Sequence, residues 1–313
     1  DPTRGVTLVQ EAMNGSDKPD LVIPGVSSNE ALAVAPLLER SRTVGIATVA
    51  SALLNDPKKY PYFFSAAFPA DDAVKAAAVF LAKQTGVKKV ALVAPADAIG
   101  DATEQNFSAS MKAQGLTGTT FRFPSDGVDY TPTFQKAASS GADWILMEGA
   151  GGQVPIMLSS REKAGADSIP TIVGPTASSQ PLLDLAKGDQ LTNLYPTLLP
   201  TQVYIDPAAR SKEFSDFLAR VMKQGDLVTP IQVYANGWDM VRIWANAVKR
   251  SDGKTDGATI KKALESEPAK KAGDQFPVYS GQYSASNHFH GGHPEDFTFA
   301  QLTGKKDGAL LTK

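Results

Sequence analysis

The chain has 313 residues, with 31 Lys and Arg against 33 Asp and Glu, a net charge of −2, 42% hydrophobic residues and no cysteine. That balance excludes long-range attraction to nucleic acid or acidic membranes, and it excludes disulfides, thiolate nucleophiles and Cys-ligated metal sites. Ordinary apolar and charged contents argue against a disordered, collagenous or coiled-coil chain, and no stretch reaches the roughly 18 apolar residues of a membrane-spanning helix.

Asp1-Pro2-Thr3-Arg4 is polar and runs straight into a helical pattern at Thr7 to Met13, so an exported form is expected to have lost its leader already. Leu21-Val22-Ile23 is the first strand, followed by a turn at Gly25 to Asn29 and a helix from Glu30 to Arg40. Thr43 to Ala47 is the next strand. Val90 to Val93 leads through Pro95 to Gly100 into a helix from Ala102 to Gln114. Trp144 to Met147 leads through Gly149 to Gln153 into a helix ending near Gly165, and Thr171 to Val173 leads into Pro181 to Ala186. Continuous β-branched runs joined by helical crossovers predict parallel strands covered on both faces. Helices are expected over Ala208 to Lys223, Tyr234 to Lys249 and Ala258 to Glu265. A closing hairpin pairs Phe297 to Leu302 with Ala309 to Thr312 around a turn at Gly304 to Gly308.

The fold class is α/β, doubly wound, with too many units for one small sheet and a tail that returns to lobes already built. A doubly wound lobe opens with a strand. None precedes Thr7, so an opening portion of the first lobe is expected to lie outside these residues.

No nucleophile elbow, P-loop or H-E-x-x-H motif is present. Gly149-Ala150-Gly151-Gly152 follows a strand but lacks the third spaced glycine of a dinucleotide loop, which favours a tight strand-to-helix turn. His288, His290 and His293 have a spacing that suits a borderline metal, with Glu295 and Asp296 near. Gly291, Gly292 and Pro294 favour a solvated connecting loop instead. With no acid–base constellation, the reading is a non-enzyme without cofactors.

Strand ends carry hydroxyls: Ser27 and Ser28, Thr48, then Thr176, Ser178 and Ser179. Each is a natural helix cap, but their repetition at successive strand ends favours a ligand cleft for a carboxylate.

Several stretches together resemble the type I periplasmic solute-binding proteins of branched-chain amino acid ABC transporters. They are Leu21 to Ser28 with Ala33 to Pro36, Asn55 to Phe64, Val87 to Val93, Gly127 to Pro132, and Ala235 to Val241. The resemblance covers essentially the whole chain and specifies the family rather than the ligand. It implies two α/β lobes joined by three hinge crossings, with 1–67 and 203–294 in lobe one and 68–202 and 295–313 in lobe two. It also implies a periplasmic or lipid-anchored extracytoplasmic monomer that closes on a small solute and docks on a membrane permease. In relatives a strand–helix–strand precedes the equivalent of these residues. The alternative is the same fold as the sensing domain of a receptor or an amide-responsive regulator.

Carried over, Ser27 matches the residue that holds the ligand's carboxylate, with Ser28 beside it. The next loop corresponds to Thr48, Val49 and Ala50, where the usual Thr hydroxyl falls on Ala50. The relatives' acidic residue falls near Thr176, their cleft Tyr near Ile99, and a second Tyr near Ala150 or Gly151. Thr176 offers no charge to an ammonium. Glu148, beside Gly149, is the candidate replacement. Two ligand classes follow: an amino acid held through Glu148, or an organic acid lacking an amine, packed against Phe68, Ile99 and Tyr234. The enlarged, neutral pocket favours the organic acid.

Overall fold

The computed structural model describes residues 2–25, 28–49, 51–68, 70–149, 152–175, 178, 182, 186, 188–225, 231–267, 283–289, 296–306 and 309–313. The chain divides into two compact units, Asp1–Ala70 with Pro207–His293 and Asp71–Asp206 with Pro294–Lys313. It therefore passes between them three times.

The first unit opens with helix α1 (Pro2–Asn14) and continues through β1 (Leu21–Val22), α2 (Ser28–Ser41), β2 (Val44–Ala47) and β3 (Phe63–Ser65). The three strands are parallel in the order β1-β2-β3, and Ser65 makes one further parallel bridge to Phe289. Side chains alternate between two cores, as a period of two demands. Val22, Ala47 and Phe63 pack with Met13, Ala31, Val34 and Leu38 of α1 and α2. Val44, Ile46 and Phe64 face Ile243 and Ala247 of α8 (Ile231–Arg250) and Ile260 and Leu264 of α9 (Gly257–Glu265).

The second unit holds α3 (Ala70–Ala82, whose first residue closes the first unit), β4 (Lys89–Pro95), α4 (Ala98–Ala113), β5 (Thr117–Phe123), α5 (Thr131–Ser139), β6 (Trp144–Met147), α6 (Gln153–Lys163), β7 (Thr171–Val173), β8 (Leu194–Leu198) and β9 (Thr298–Phe299). Its sheet runs β5-β4-β6-β7-β8-β9, parallel throughout except for β9. The order reverses between β4 and β6, the place where open α/β sheets bind ligands at the strand carboxyl ends. Ala91, Val93, Ile145 and Met147 turn to α5 and α6, while Val90, Leu92, Leu146 and Ile172 turn to Val74, Leu81, Phe107 and Met111 of α3 and α4.

Two expectations need correcting. The closing hairpin pairs β10 (Leu302–Lys306), not Phe297 to Leu302, with β11 (Ala309–Thr312). Gly304, expected in the turn, lies inside β10 where the register shifts, and Thr298–Phe299 instead extends the large sheet beside β8. The helix expected from Ala208 begins later, as α7 (Lys212–Met222), because the Ser211 hydroxyl accepts the Phe214 N–H and caps it there.

One buried cation stitches the amino-terminal edge of this sheet. Arg161 of α6 is 1% exposed; its Nε donates to Thr171 Oγ1 at 3.0 Å and its Nη2 donates to the carbonyls of Asp167, Ile169 and Thr192 at 3.1–3.2 Å. Burial pulls its pKa down to about 10, so it stays cationic at neutral pH. Asp143 performs a similar task at the surface, its Oδ2 accepting the Lys88 and Lys89 N–H groups at 2.8 Å each.

Arg161→Leu leaves several buried carbonyls without donors and is expected to lower stability by about 2–4 kcal/mol, measured by urea denaturation followed at Trp144. The two backbone bonds, Lys89 first, hold the Asp143 carboxyl below its ordinary value. Its contribution is therefore complete above the ordinary carboxylate pKa and is lost as pH falls through the lowered one. Melting curves between pH 5 and about pH 2 should fall less steeply for Asp143→Asn than for the wild type.

Candidate functional site

The carboxyl ends of the parallel strands are where side chains and open backbone groups meet solvent in each unit, so the candidate residues are described there unit by unit. In the first unit, Ser28 begins α2 and Glu30 follows in its first turn, close to the positive end of the helix dipole. Ser27 and Ala50 lie outside the described residues. Thr48 follows β2, is partly buried, and its hydroxyl has no hydrogen-bond partner among the described residues.

Val49 behaves differently from its neighbour. It is 2% exposed and joins the core with Ala47, Leu54 and Phe289. Its N–H donates to Ser65 Oγ at 3.3 Å and its carbonyl accepts from the same hydroxyl at 2.7 Å. Thr48 thus offers an open hydroxyl where the Val49 N–H is engaged. Phe68, three residues past β3, and Tyr234, in the first turn of α8, are both partly buried.

In the second unit, the loops after β4 and β6 flank the point where strand order reverses. Ile99 falls in the first turn of α4. That turn presses close to the end of β4: a Cβ on Gly100 would collide with the Pro95 carbonyl and lie 2.8 Å from Arg122 Nη2. Arg122 fixes the same corner, with Nε donating to Pro95 O at 2.9 Å and ion pairs to Glu104 at 2.6 Å and Asp101 at 2.8 Å.

Glu148 directly follows β6, and its N–H still donates to Val93 O of β4 at 2.9 Å. It is 4% exposed, and its Oε1 accepts the Gly149 N–H at 3.1 Å. A Cβ on Gly174, just past β7, would collide with the Glu148 carboxylate, so the acid lies folded over the end of the neighbouring strand. A carboxylate so removed from water needs the hydrogen bonds it makes. Gly149 itself is packed beneath Met157 and Gln153 of α6.

Thr176 lies outside the described residues, as do Ser179, Ala150 and Gly151. Ser178, read from the sequence as a strand-end hydroxyl, turns inward: it is 2% exposed, donates to Val173 O at 2.7 Å and accepts from Thr197 N at 2.8 Å. It closes the strand end.

His288 is a core residue rather than part of a solvated loop. It is fully buried, stacked on Phe64 at 4.0 Å, with Nδ1 2.9 Å from Phe63 O and Nε2 3.0 Å from Glu265 Oε1. Burial lowers its pKa, with Glu265 opposing. His290 and His293 lie outside the described residues. Among the described residues no three His, Asp or Glu side chains are grouped as metal ligands. A cavity of about 630 Å³ in the first unit, lined by Met13, Lys18, Arg40 and Thr43, sits at the amino-terminal end of β2, the far end from Thr48.

Ser65, whose hydroxyl bonds both backbone groups of Val49, is not among the residues that the sequence reading singled out. Its residue type carried no signal, since its role depends on a pairing across β2 and β3 that sequence spacing does not reveal.

Among curated proteins, no sequence matches the chain. Solved structures that share its fold across its full length include the following three. An extracellular ligand-binding receptor from Rhodopseudomonas palustris HaA2 has a TM-score of 0.77 at 18% identity, with 87% of that chain covered. An ABC transporter solute-binding protein from R. palustris, in complex with 4-hydroxybenzoate, has a TM-score of 0.74 at 23% identity, with 82% covered. A branched-chain amino acid ABC transporter protein from Thermus thermophilus with bound valine has a TM-score of 0.73 at 17% identity, with 81% covered. At these identities the likeness is one of fold. The profile of the periplasmic binding protein family matches residues 1–307. Two α/β units joined by three chain crossings, and a family match over nearly every residue, place the chain in the periplasmic binding protein family, type I fold.

Proposed function

We propose that this protein is the extracytoplasmic solute-binding component of an ABC importer, that it hands its solute to a membrane permease, and that the solute is a small organic acid lacking an amine. The observation that carries the ligand class is the state of Glu148. An amino acid needs an anionic partner for its ammonium, because an unpaired buried ammonium is costly. Glu148 and Asp97 stand beside the switch point among the described residues; Glu148 is 4% exposed, bonded to the Gly149 N–H and folded over Gly174, and Asp97 Oδ1 accepts the Gly100 N–H at 3.2 Å. Thr48 supplies a hydroxyl donor at the strand ends of the first unit, suited to a carboxylate. Relatives of the fold solved with 4-hydroxybenzoate support an aromatic acid, while the valine complex keeps the amino acid as the second reading.

Binding is read from melting temperature, since a solute that binds only the folded state stabilises it by mass action. Protein freed of co-purified solute is expected to melt higher with 4-hydroxybenzoate or related aromatic acids and unchanged with valine or leucine. A shift with the amino acids alone overturns the organic-acid reading.

Single substitutions separate the two classes further. Thr48→Val and Ser27→Ala should each weaken an acid by roughly 10- to 100-fold, the range for a lost hydrogen bond to a charged group. Glu148→Gln should leave acid affinity within about threefold in calorimetric titration. A loss of a hundredfold or more in affinity for valine or leucine in that variant assigns Glu148 to the solute and restores the ammonium site.

A further inference from the structure

We infer that Ser65, buried at the end of β3, is the positioning residue of the solute-binding loop after β2; the inference rests on the reading of Thr48 as a solute contact. A serine hydroxyl has one hydrogen to donate and two lone pairs to accept with. Ser65 uses all three. Its hydrogen goes to Val49 O at 2.7 Å, and its lone pairs receive the N–H groups of Val49 at 3.3 Å and Ala67 at 3.1 Å.

Holding both the N–H and the C=O of one residue on a single side-chain atom fixes that residue's φ and ψ together. With Val49 fixed in this way its side chain enters the core, and the chain just before it carries the Thr48 hydroxyl to the open strand end. The Val49 N–H is engaged and is withdrawn from the set of donors a carboxylate can use. An acid that reaches this loop therefore meets the Thr48 hydroxyl and not the Val49 amide.

The clamp is itself anchored, so it cannot follow the loop. Ser65 is fully buried and pairs in register with Ala47; its N–H donates to His288 O at 2.8 Å, and its carbonyl accepts the Tyr283 hydroxyl at 3.0 Å. Removing the hydroxyl takes away the hydrogen-bond partner of both backbone groups of Val49 in a place that water does not reach. The expected consequence is a loop that reorganises, not a unit that loses its core.

The test compares four variants of the full chain by two readouts: affinity for 4-hydroxybenzoate by calorimetry, and hydrogen exchange of the Val49 amide by NMR. Ser65→Ala, and Ser65→Cys, which fills the same space with a weakly bonding group, should each lose at least tenfold in affinity and exchange the Val49 amide at least tenfold faster. Ser65→Thr keeps the hydroxyl and should stay within about threefold of the wild type in both. Tyr283→Phe loosens the same residue through its carbonyl while leaving the hydroxyl in place, and should also stay within threefold. Wild-type exchange at Val49 in Ser65→Ala or Ser65→Cys overturns the inference, as does an equal loss of affinity in Tyr283→Phe. If the wild type binds none of the acids, the proposed solute class fails by itself, and Val49 exchange still decides the role of Ser65.

Discussion

A parallel sheet covered on both faces has one place where its backbone stays open, and in this protein the closing of those strand ends governs everything that can happen there. The last peptide groups of each strand have no further ladder partner, and an unpaired buried group costs roughly the value of a lost hydrogen bond. Buried hydroxyls do the closing. Ser65 serves Val49 and Ala67 in the first unit; Ser178 serves Val173 and Thr197 in the second, with the Thr197 hydroxyl adding a second bond to Val173 O. What remains open after this closure is a short set of groups, and that set is the chemical character of the site.

The same logic separates residues that look alike in sequence. Thr48, Ser65 and Ser178 are all small hydroxyl residues at or just past strand ends. Ser65 is buried with its hydrogen and both lone pairs engaged, and Ser178 is buried with its hydroxyl donating once and accepting once, whereas Thr48 is partly buried with its hydroxyl unpartnered among the described residues. Sequence spacing places Thr48 and Ser178 near strand ends, gives no sign of Ser65, and cannot rank them, because the ranking depends on which neighbouring strand supplies a carbonyl. Ser65 finds its acceptor sixteen residues away on β2's loop, and Ser178 receives an N–H from β8.

Much of the fold was legible for a physical reason. Val90 to Val93, Trp144 to Met147 and Thr171 to Val173 lie in the interior of the large sheet and are apolar on both faces, so they read as continuous runs. The edge strand β5, Thr117–Phe123, is half polar and alternates irregularly in exposure, so no run announces it. The tail misled for a related reason. Gly304 and Gly308 look like a turn, but a register shift absorbs Gly304 into β10, and register is a property of the pair rather than of one segment. His288 sat in a glycine-rich histidine cluster that suggested solvent or metal. Its ring instead fills the core against Phe64, because the Phe63 carbonyl and Glu265 meet both ring nitrogens there.

Glu148 shows how a strand-end acid is turned into part of the scaffold. Its side chain lies across the end of β7, and only a residue without a Cβ at position 174 leaves room for it. The glycine and the acid therefore form one feature: either alone would leave a void or a clash. The carboxyl group held in that position lies beside the β4–β6 switch point of the second unit, folded back on the strand ends. The first unit ends its strands differently: Thr48 follows β2 with an unpartnered hydroxyl among the described residues, and α2 follows β1 with Glu30 in its first turn. The two units thus close their strand ends with different chemistry, a hydroxyl in the first and a folded-back acid in the second. That difference lies in the packing of Glu148 against Gly174, and a residue with a Cβ at position 174 would force the acid out of its place.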